Sequence, residues 1–306
     1  MKKINLILVL LIATISSSFA QDTIQAMVNF DSLVNSFYVK KSLKIYSNEN
    51  KTVFNDNHDI NVSDSVVIAR MKKIATPIQL TYNPEVKQWL SMYLKRGKYM
   101  IPTIMGLSNF YFPMFEKELS ENNMPMELKY LPIIESALNP RAVSVAGATG
   151  LWQFIYPTGK RYGLEINSYI DERKSPQLAT TAAVNYLKDL YGIFNDWNLA
   201  LAAYNCGAGN VNKAIIRSGG KTNFWDIYHY LPRETRGYIP AFIAITYIMS
   251  YTDEHNFYPA KIDLPYNTDT LIITDTLHLL QVAEVIDIPM SQLRDLNPQY
   301  KIDIIP

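Results

Sequence analysis

Residue types that support acid–base chemistry converge on the segment IIESALNPRAVSVAGATGLWQF, residues 133–154. It contains a single carboxylate, Glu135, which follows an apolar run. If that run is a helix, Glu135 lies at its C-terminal end, where the negative pole of the helix dipole disfavours ionisation. Burial in an apolar pocket would add desolvation, which also raises the pKa of a carboxyl group. Both effects favour the protonated form near neutral pH, as a general acid requires.

Polar side chains and glycines follow this glutamate closely. Ser144 offers a hydroxyl group, and Gln153 offers an amide that can bond an acetamido group or a sugar hydroxyl. Gly147 and Gly150 predict a turn at which the backbone approaches a ligand closely. By itself, a glutamate at a helix end is more often simply solvated, and these neighbours shift the balance towards a functional site.

Two later segments supply further groups of the same kind. AYNCGAGNV places Tyr204 and Asn205 at a predicted helix end, just before glycines. LPRETRGYIP supplies Glu234 and Tyr238, which are four residues apart and share one face if the segment is helical. A glutamate combined with amides, tyrosines and glycine turns indicates a carbohydrate site.

The composition argues against several other functions. The chain has 306 residues, 48% of them apolar and 19% charged, which predicts a folded protein. Its net charge of +1 gives no electrostatic argument for a nucleic-acid partner. Cys206 has no histidine near it in sequence, so it is not expected to be a nucleophile. The four histidines are scattered without metal-ligand spacing: His58, His229, His255 and His278. We expect neither a metal nor another cofactor.

The N-terminal residues 1–20 are typical of a secretory signal peptide. Two lysines precede an apolar run from Leu6 to Ile15, and small residues then predict cleavage after Ala20. The run is shorter than the roughly 20 residues that span a bilayer comfortably, and an uncleaved anchor is the alternative. With no cysteine near the junction for lipid attachment, we expect an exported protein of the periplasm or cell envelope.

Changes in sequence pattern divide the remainder into three parts. Residues 21–85 predict an N-terminal arm of helices and loops, and residues 86–258 show apolar positions at helical spacing. Residues 259–306 form a third part, in which DLPYNTDTLIITDTL, residues 263–277, alternates as a strand does. A helix, a turn, a second helix and a loop follow, and no closing strand is expected before Pro306. The predicted fold class is mainly α, with a small α+β piece at the C-terminus.

Local signals set several helix ends in the central part. Ser175 is the expected N-cap of a helix that opens with Pro176. Pro132 is tolerable only in the first turns of its helix. Gly207, with Gly209, is expected to end a helix, and Asn210 to cap the next one. The AYN segment lies at the end of the first of these two helices.

The motifs, taken in order, resemble a known family. ESALNPRAVSVAGATGLWQF, YIDERKSPQLATTAAVNYL, AYNCGAGNV and ETRGYIP are similar to four motifs of the lysozyme-like lytic murein transglycosylases, specifically the membrane-bound D type. The resemblance covers residues 120–250 and implies a lysozyme-like helical domain, with peptidoglycan glycan strands as the substrate and partner. Other cell-wall enzymes, with which the protein would form complexes, are a second class of expected partner. VAEVIDIPMSQLRDLNP is similar to the core of the glycan-binding LysM module, and an interface segment without glycan affinity is the alternative.

The resemblance also assigns roles to residues. It implies that Glu135 is the catalytic acid and base. The other residues it implies are active-site groups or residues that line and brace the cleft: Ser144, Gln153, Tyr204, Asn205, Glu234 and Tyr238. Trp152 stands where the family commonly has methionine, and Cys206 where it commonly has alanine.

The family mechanism would explain the single acid of the motif. Retaining glycosidases need a second carboxylate about 5 Å away, and inverting ones need it at about 6.5–9.5 Å. Lytic transglycosylases instead use one glutamate twice, because the muramyl C6 hydroxyl is the nucleophile and leaves a 1,6-anhydro end. Two alternatives stay open: a muramidase of the same fold that uses water, as goose-type lysozymes do, and a non-catalytic scaffold that binds the wall.

Overall fold

The computed structural model describes residues 62–265 and 268–306, and the predicted signal peptide lies outside this part of the chain. The α-helices, in chain order, are α1 (Asp64–Met71), α2 (Pro84–Glu121), α3 (Leu131–Ser136), α4 (Tyr156–Arg161), α5 (Pro176–Phe194), α6 (Trp197–Cys206), α7 (Ala208–Arg217), α8 (Phe224–Ile227), α9 (Arg233–Ser250), α10 (Leu279–Ile286) and α11 (Met290–Leu296). The strands are β1 (Leu277–His278) and β2 (Ile304–Ile305). Short 3₁₀ helices are Met126–Tyr130, Glu172–Lys174, Tyr228–Tyr230 and Asp253–His255. The mainly α class is confirmed.

The long helix α2 begins with a local signal that the sequence analysis did not use. Asn83 caps it, because its side chain accepts the N–H of Val86 at 3.0 Å. Pro84 occupies the first turn, where its missing N–H removes no helical bond. The helix continues through Pro102 and Pro113 to the end of its 38 residues. It therefore crosses the predicted boundary at residue 86, and of the predicted arm the structure describes only residues 62–85, including α1.

Helices α2 and α9 form the centre of the molecule. They pack along each other, and α5 and α6 complete the core, with α7 packed against α6. Large side chains in this core include Tyr111, Phe115, Trp152 and Phe242, all with less than 3% of their surface exposed. No helix within the described ranges has the length and apolar character needed to cross a membrane.

Two of the expected helix ends are confirmed and one is wrong. Ser175 caps α5 by accepting the N–H of Leu178 at 3.4 Å, and Gly207 ends α6 with a φ of 84°. Asn210, however, lies inside α7, whose N-cap is Gly207 itself. Its side chain donates to the carbonyl of Cys206 at 2.8 Å. A single glycine separates α6 from α7, so the second helix starts before Asn210 is reached.

The C-terminal part differs from its prediction in both strands. Among the residues of 263–277 that the structure describes, Leu277 alone belongs to a strand, although the whole segment alternates like one. Leu271 and Ile272 are exposed, at 66% and 83%, so no packed face supports the alternation there. The closing strand that was not expected is present, since β2 pairs antiparallel with β1 through Leu277–Ile305 and His278–Ile304.

Helices α10 and α11 complete this C-terminal unit, which we define as residues 277–305. They pack against each other around a small core of Val282, Ala283 and Leu293. His278 caps α10 and forms a capping box with Gln281. The unit therefore has its own two-stranded sheet, two helices and buried side chains.

Candidate active site

Glu135 lies in the last turn of the six-residue helix α3. Pro132 falls in the first turn of that helix, as expected. Ala137 and Leu138 then take left-handed backbone angles, with φ of 51° and 59°, which are unfavourable for residues with a side chain. The N–H of Leu138 still reaches the carbonyl of Pro132 at 3.2 Å. The chain thus turns sharply immediately after the glutamate.

The active-site hairpin, which we define as residues 142–154, follows this turn. Thr149 forms an antiparallel bridge with Val143 within it. The buried hydroxyl of Ser136 donates towards the hairpin and lies 2.9 Å from the carbonyl oxygen of Leu151. The hairpin is therefore bonded directly to the helix that carries Glu135.

Gly150 is the position in the hairpin at which only glycine fits. Its φ is 86°, and a Cβ atom there would lie 1.8 Å from the carbonyl oxygen of Arg173. Arg173 is buried and pairs with Asp171 at 2.7 Å. Its Nη1 also donates to the carbonyls of Gly147, at 3.0 Å, and Phe154, at 3.1 Å. The guanidinium group thus holds the two arms of the hairpin, and the sequence analysis assigned it no role.

Tyr238 supplies the hydrogen bond to Glu135. Its hydroxyl donates to Oε1 of the glutamate, across 103 positions of the sequence. Burial and the charge of Glu135 raise the pKa of Tyr238 well above its usual value, so the tyrosine remains a donor. Helix α9 therefore brings to α3 a fixed partner for its carboxyl group.

The environment of Glu135 raises its pKa to about 7. The side chain keeps some exposed surface, but desolvation of its carboxyl group by the surrounding protein atoms is the main cause of the raised pKa. The hydrogen bond from Tyr238 lowers the pKa, and the charge of Glu234 raises it further. Glu234 itself is exposed, one turn before Tyr238 on α9. The carboxyl of Glu135 can consequently hold a proton near neutral pH and can also release it.

Replacing Tyr238 with phenylalanine is expected to raise the pKa of Glu135 above 7. The tyrosine hydroxyl bonds the ionised form more strongly, and its loss should shift the pKa upwards by about one unit. The measurement is an NMR titration of the carboxyl carbons, with Glu135→Gln to assign the signal. Tyr204→Phe is the matched control, because its hydroxyl bonds a carbonyl instead. An unchanged or lowered pKa in Tyr238→Phe would contradict the assigned contact.

Tyr204 links α6 to the hairpin. Its hydroxyl donates to the carbonyl of Trp152 at 2.7 Å. Its pKa is raised well above the usual value, by burial first and by the charge of Glu135 second. Its ring lies 5.1 Å from that of Tyr186 and 6.4 Å from that of Phe154, measured between centroids. Tyr186, half-buried on α5, is a residue of this site that the sequence analysis did not single out.

In each of three other predicted site residues, one polar group forms a hydrogen bond to another protein group. Ser144 Oγ accepts the N–H of Ala148 at 3.0 Å, and Gln153 Nε2 donates to the carbonyl of Gly150 at 2.8 Å. Asn205 Oδ1 accepts the hydroxyl of Thr235 at 2.8 Å. Within the described residues, the serine hydroxyl hydrogen, Gln153 Oε1 and Asn205 Nδ2 have no protein partner. These are the groups that remain for a ligand.

The structure thus brings most of the predicted residues to one place, though in different ways. Tyr238 bonds Glu135, and the charge of Glu234 raises the pKa of Glu135. The charge of Glu135 in turn raises the pKa of Tyr204. Gln153 lies in the hairpin beside them, whereas Ser144 lies nearer the hairpin turn and does not bond Glu135. The residues that were missed are Ser136, Arg173, Tyr186 and Thr235. All four stand inside the quoted motifs, which was the available signal.

No cluster of three or more histidine, cysteine or acidic side chains with metal-binding geometry occurs in residues 62–265 and 268–306. Cys206 is half-buried, and burial raises the pKa of its thiol.

Two protein-family models match the chain. Residues 112–226 match the transglycosylase SLT domain, and residues 267–306 match the LysM-like domain of the lytic transglycosylase MltD. The first match contains Glu135, the hairpin and Tyr204, and the second covers the C-terminal unit. Both lie within the predicted parts 86–258 and 259–306, whose boundaries themselves stay predictions.

Individual proteins are similar over different lengths. The membrane-bound lytic murein transglycosylase D of Escherichia coli K12 is 32% identical over 223 residues, which are 72% of this chain and 49% of that protein. A putative tributyltin chloride resistance protein of Alteromonas is 37% identical over 107 residues, 35% of this chain and 52% of that protein. This chain thus spans about half the length of these curated relatives.

Among solved structures, the 70 kDa soluble lytic transglycosylase of E. coli aligns with 80% of this chain and 48% of its own, at 16% identity and a TM-score of 0.42. The family matches agree with the expected lysozyme-like helical class and with the LysM-like character of the C-terminal unit. By its SLT and LysM-like domains, this chain belongs to the family of lytic murein transglycosylases of the D type.

Proposed function

We propose that this protein is a peptidoglycan lytic transglycosylase that cleaves the β-1,4 bond between N-acetylmuramic acid and N-acetylglucosamine and leaves a 1,6-anhydro end. The observation that carries the proposal is the raised pKa of Glu135, a carboxyl group that Tyr238 holds by a hydrogen bond. Its pKa of about 7 lets one side chain act first as an acid and then as a base at neutral pH. Tyr238 fixes the carboxyl group in one orientation.

In the proposed reaction, Glu135 first protonates the bridging oxygen as the bond to C1 of the muramyl residue breaks. The resulting carboxylate then removes the proton of the C6 hydroxyl of the same sugar, and that oxygen attacks C1. Because the nucleophile belongs to the substrate, a high effective concentration replaces a nucleophile from the protein. The glutamate ends the cycle protonated, as it began.

The remaining polar groups support this sequence of steps. Gln153 Oε1 can accept the N–H of an acetamido group, while Asn205 Nδ2 and the Ser144 hydroxyl can donate to sugar oxygens. Tyr204 has its proton committed to the carbonyl of Trp152, so the lone pairs of its oxygen remain for a ligand, and the charge of Glu135 acts on this hydroxyl. Electron-rich oxygen at that position would stabilise the positive charge that develops at C1.

A hydrolytic muramidase is the second candidate, and one observation favours it. The charge of Glu234 reaches Glu135, so a second carboxylate is present in the surroundings of the first. An inverting hydrolase needs a base about 6.5–9.5 Å from its acid, with a water molecule between them. Glu234 is exposed, whereas a base that activates a single water is held by neighbouring groups, so we favour the transglycosylase.

The mass of the released products separates the candidates. Purified sacculi digested with the full chain should yield muropeptides whose new ends are lighter by one water than reducing ends, because the C6 oxygen has replaced water. Products that all carry reducing ends would establish the hydrolase instead. Sacculi that remain insoluble, with the protein bound, would indicate the non-catalytic scaffold.

We also propose that the protein works in the cell envelope. The E. coli relative is named as membrane-bound, and the predicted signal peptide of residues 1–20 is consistent with export. Cell fractionation with an antibody against the chain tests this, and recovery in the cytoplasmic fraction alone would contradict it.

A further inference from the structure

We propose that the C-terminal unit holds the active-site hairpin in its working geometry, with Arg141 and Asp295 as positioning residues. This inference rests on the proposed function, and it adds to the glycan binding that a LysM-like domain would supply. The contacts that carry it run from the C-terminal unit to both arms of the hairpin.

The first contact lies at the entrance to the hairpin. Arg141, the residue that precedes it, pairs with Asp295 at 2.7 Å through Nη1. Its Nη2 donates to the backbone carbonyl of Arg294. The side chain of Asp295 is only 11% exposed, so the pair is shielded from solvent on the acidic side. Arg294 is fixed in turn by a two-pronged ion pair with Asp303, its Nη2 lying 2.7 Å from the carboxylate.

The second contact is a backbone pairing. Ile170 forms an antiparallel bridge with Tyr300 of the C-terminal unit. The N–H of Asp171 donates to the carbonyl of Gln299 at 2.9 Å, and the N–H of Lys301 donates to the carbonyl of Tyr169 at 2.8 Å. Backbone hydrogen bonds on both sides of the bridge fix the register between residues 169–171 and residues 299–301 of the C-terminal unit. A loosely tethered module would have no such fixed register.

The second contact leads to the hairpin through the Asp171–Arg173 pair. Asp171 lies in the paired segment, and its carboxylate holds the guanidinium of Arg173 at 2.7 Å. That guanidinium bonds the carbonyls of Gly147 and Phe154, on either side of Gly150. The C-terminal unit is thus connected to the start of the hairpin through Arg141 and to its later residues through Arg173.

Activity requires the groups of the hairpin to keep a fixed position relative to Glu135. Gln153 and the Trp152 carbonyl that binds Tyr204 both belong to the hairpin. A hairpin that is free to shift would misplace these groups relative to Glu135, and a displacement of about 1 Å can reduce turnover strongly. Loss of the contacts should therefore lower kcat, whereas loss of a glycan-binding module alone would raise KM.

The first test is hydrogen exchange of the hairpin amides in the full chain without substrate. Asp295→Asn removes the charge at the contact, and we expect exchange of the Thr149, Gly150 and Phe154 amides to rise about tenfold, the loss of one charge-assisted bond. Glu284→Gln is the matched control, because it removes one charge from an exposed position on α10 of the same unit. Unchanged exchange in Asp295→Asn would overturn the proposal. Equal acceleration of the α5 core amides would also overturn it, because it would show general loss of stability.

The second test is a double-mutant cycle on turnover of sacculi. Arg141→Gln and Asp295→Asn should each lower kcat by about three- to tenfold with little change in binding to sacculi, and the double variant should be no worse than either. Losses that appear only in KM would overturn the positioning role. The exchange test needs no activity, so a failure of the proposed function would leave it fully readable.

Discussion

Replacing Glu135 with glutamine is expected to reduce the release of soluble muropeptides from sacculi by roughly 10³-fold, within the range of general acid–base catalysis. Glutamine keeps the size of the side chain and can still accept the hydroxyl of Tyr238, but it can neither give nor take the proton. The measurement is the initial rate of solubilisation with purified full chain. Glu121→Gln at the exposed end of α2 is the matched control and should retain the wild-type rate.

The same variant provides its own check of folding. Below pH 4.5, the ordinary pKa of glutamate, the carboxyl group is protonated in both the folded and unfolded chains, so variant and wild type should be about equally stable. Between pH 4.5 and 7 the unfolded chain ionises first, and the wild type loses stability relative to the variant. Above pH 7 the free energy of unfolding of Glu135→Gln should exceed that of the wild type by about 3 kcal/mol, because the pKa rises from 4.5 in the unfolded chain to about 7 in the fold. An active variant, or one that is less stable at pH 8, would contradict the role assigned to this carboxyl group.

Replacing Gly150 with alanine is the second change with a large expected effect. The new methyl group would overlap the backbone oxygen of Arg173, and the φ of 86° adds strain for any residue with a side chain. We expect the free energy of unfolding to fall by about 4 kcal/mol, measured by urea denaturation. Activity should fall with it, because the hairpin must move away from Arg173.

Gly147→Ala separates the two causes. Gly147 also has a positive φ, of 77°, but a Cβ atom there meets no heavy atom within 4 Å. It should lose only about 1 kcal/mol, the cost of the left-handed backbone alone. Equal losses at the two glycines would show that backbone strain, and not the contact with Arg173, causes most of the loss of stability.

The sequence predicted those features that depend on local signals. Ser175 and Pro176 correctly predict the start of α5, and Gly207 correctly predicts the end of α6, because capping involves residues only a few positions apart. The same logic failed for Asn210, since two helices joined by a single glycine leave no room for a separate cap. It failed again for the described residues between 263 and 276, where alternation alone does not supply a partner strand.

The contacts that assemble the site were beyond local signals. Glu135 and Tyr238 are 103 positions apart, and which side of α9 faces α3 depends on how α9 packs along α2. The spacing of Glu234 and Tyr238 correctly suggested one side of a helix, but it could not show that one residue touches Glu135 and the other faces solvent. The attachment of Arg141 to Asp295 joins residues 154 positions apart in sequence and was invisible for the same reason.

The bond from Tyr238 has a consequence for the two oxygens of Glu135. Because Oε1 accepts the tyrosine hydrogen, the proton of the neutral acid resides on Oε2, which has no partner among residues 62–265 and 268–306. In the proposed reaction, departure and return of the proton would then occur at the same atom, and the carboxyl group would not need to rotate between the two steps. By occupying Oε1, Tyr238 would leave the Oε2 edge of the carboxyl group as the side on which the sugar binds.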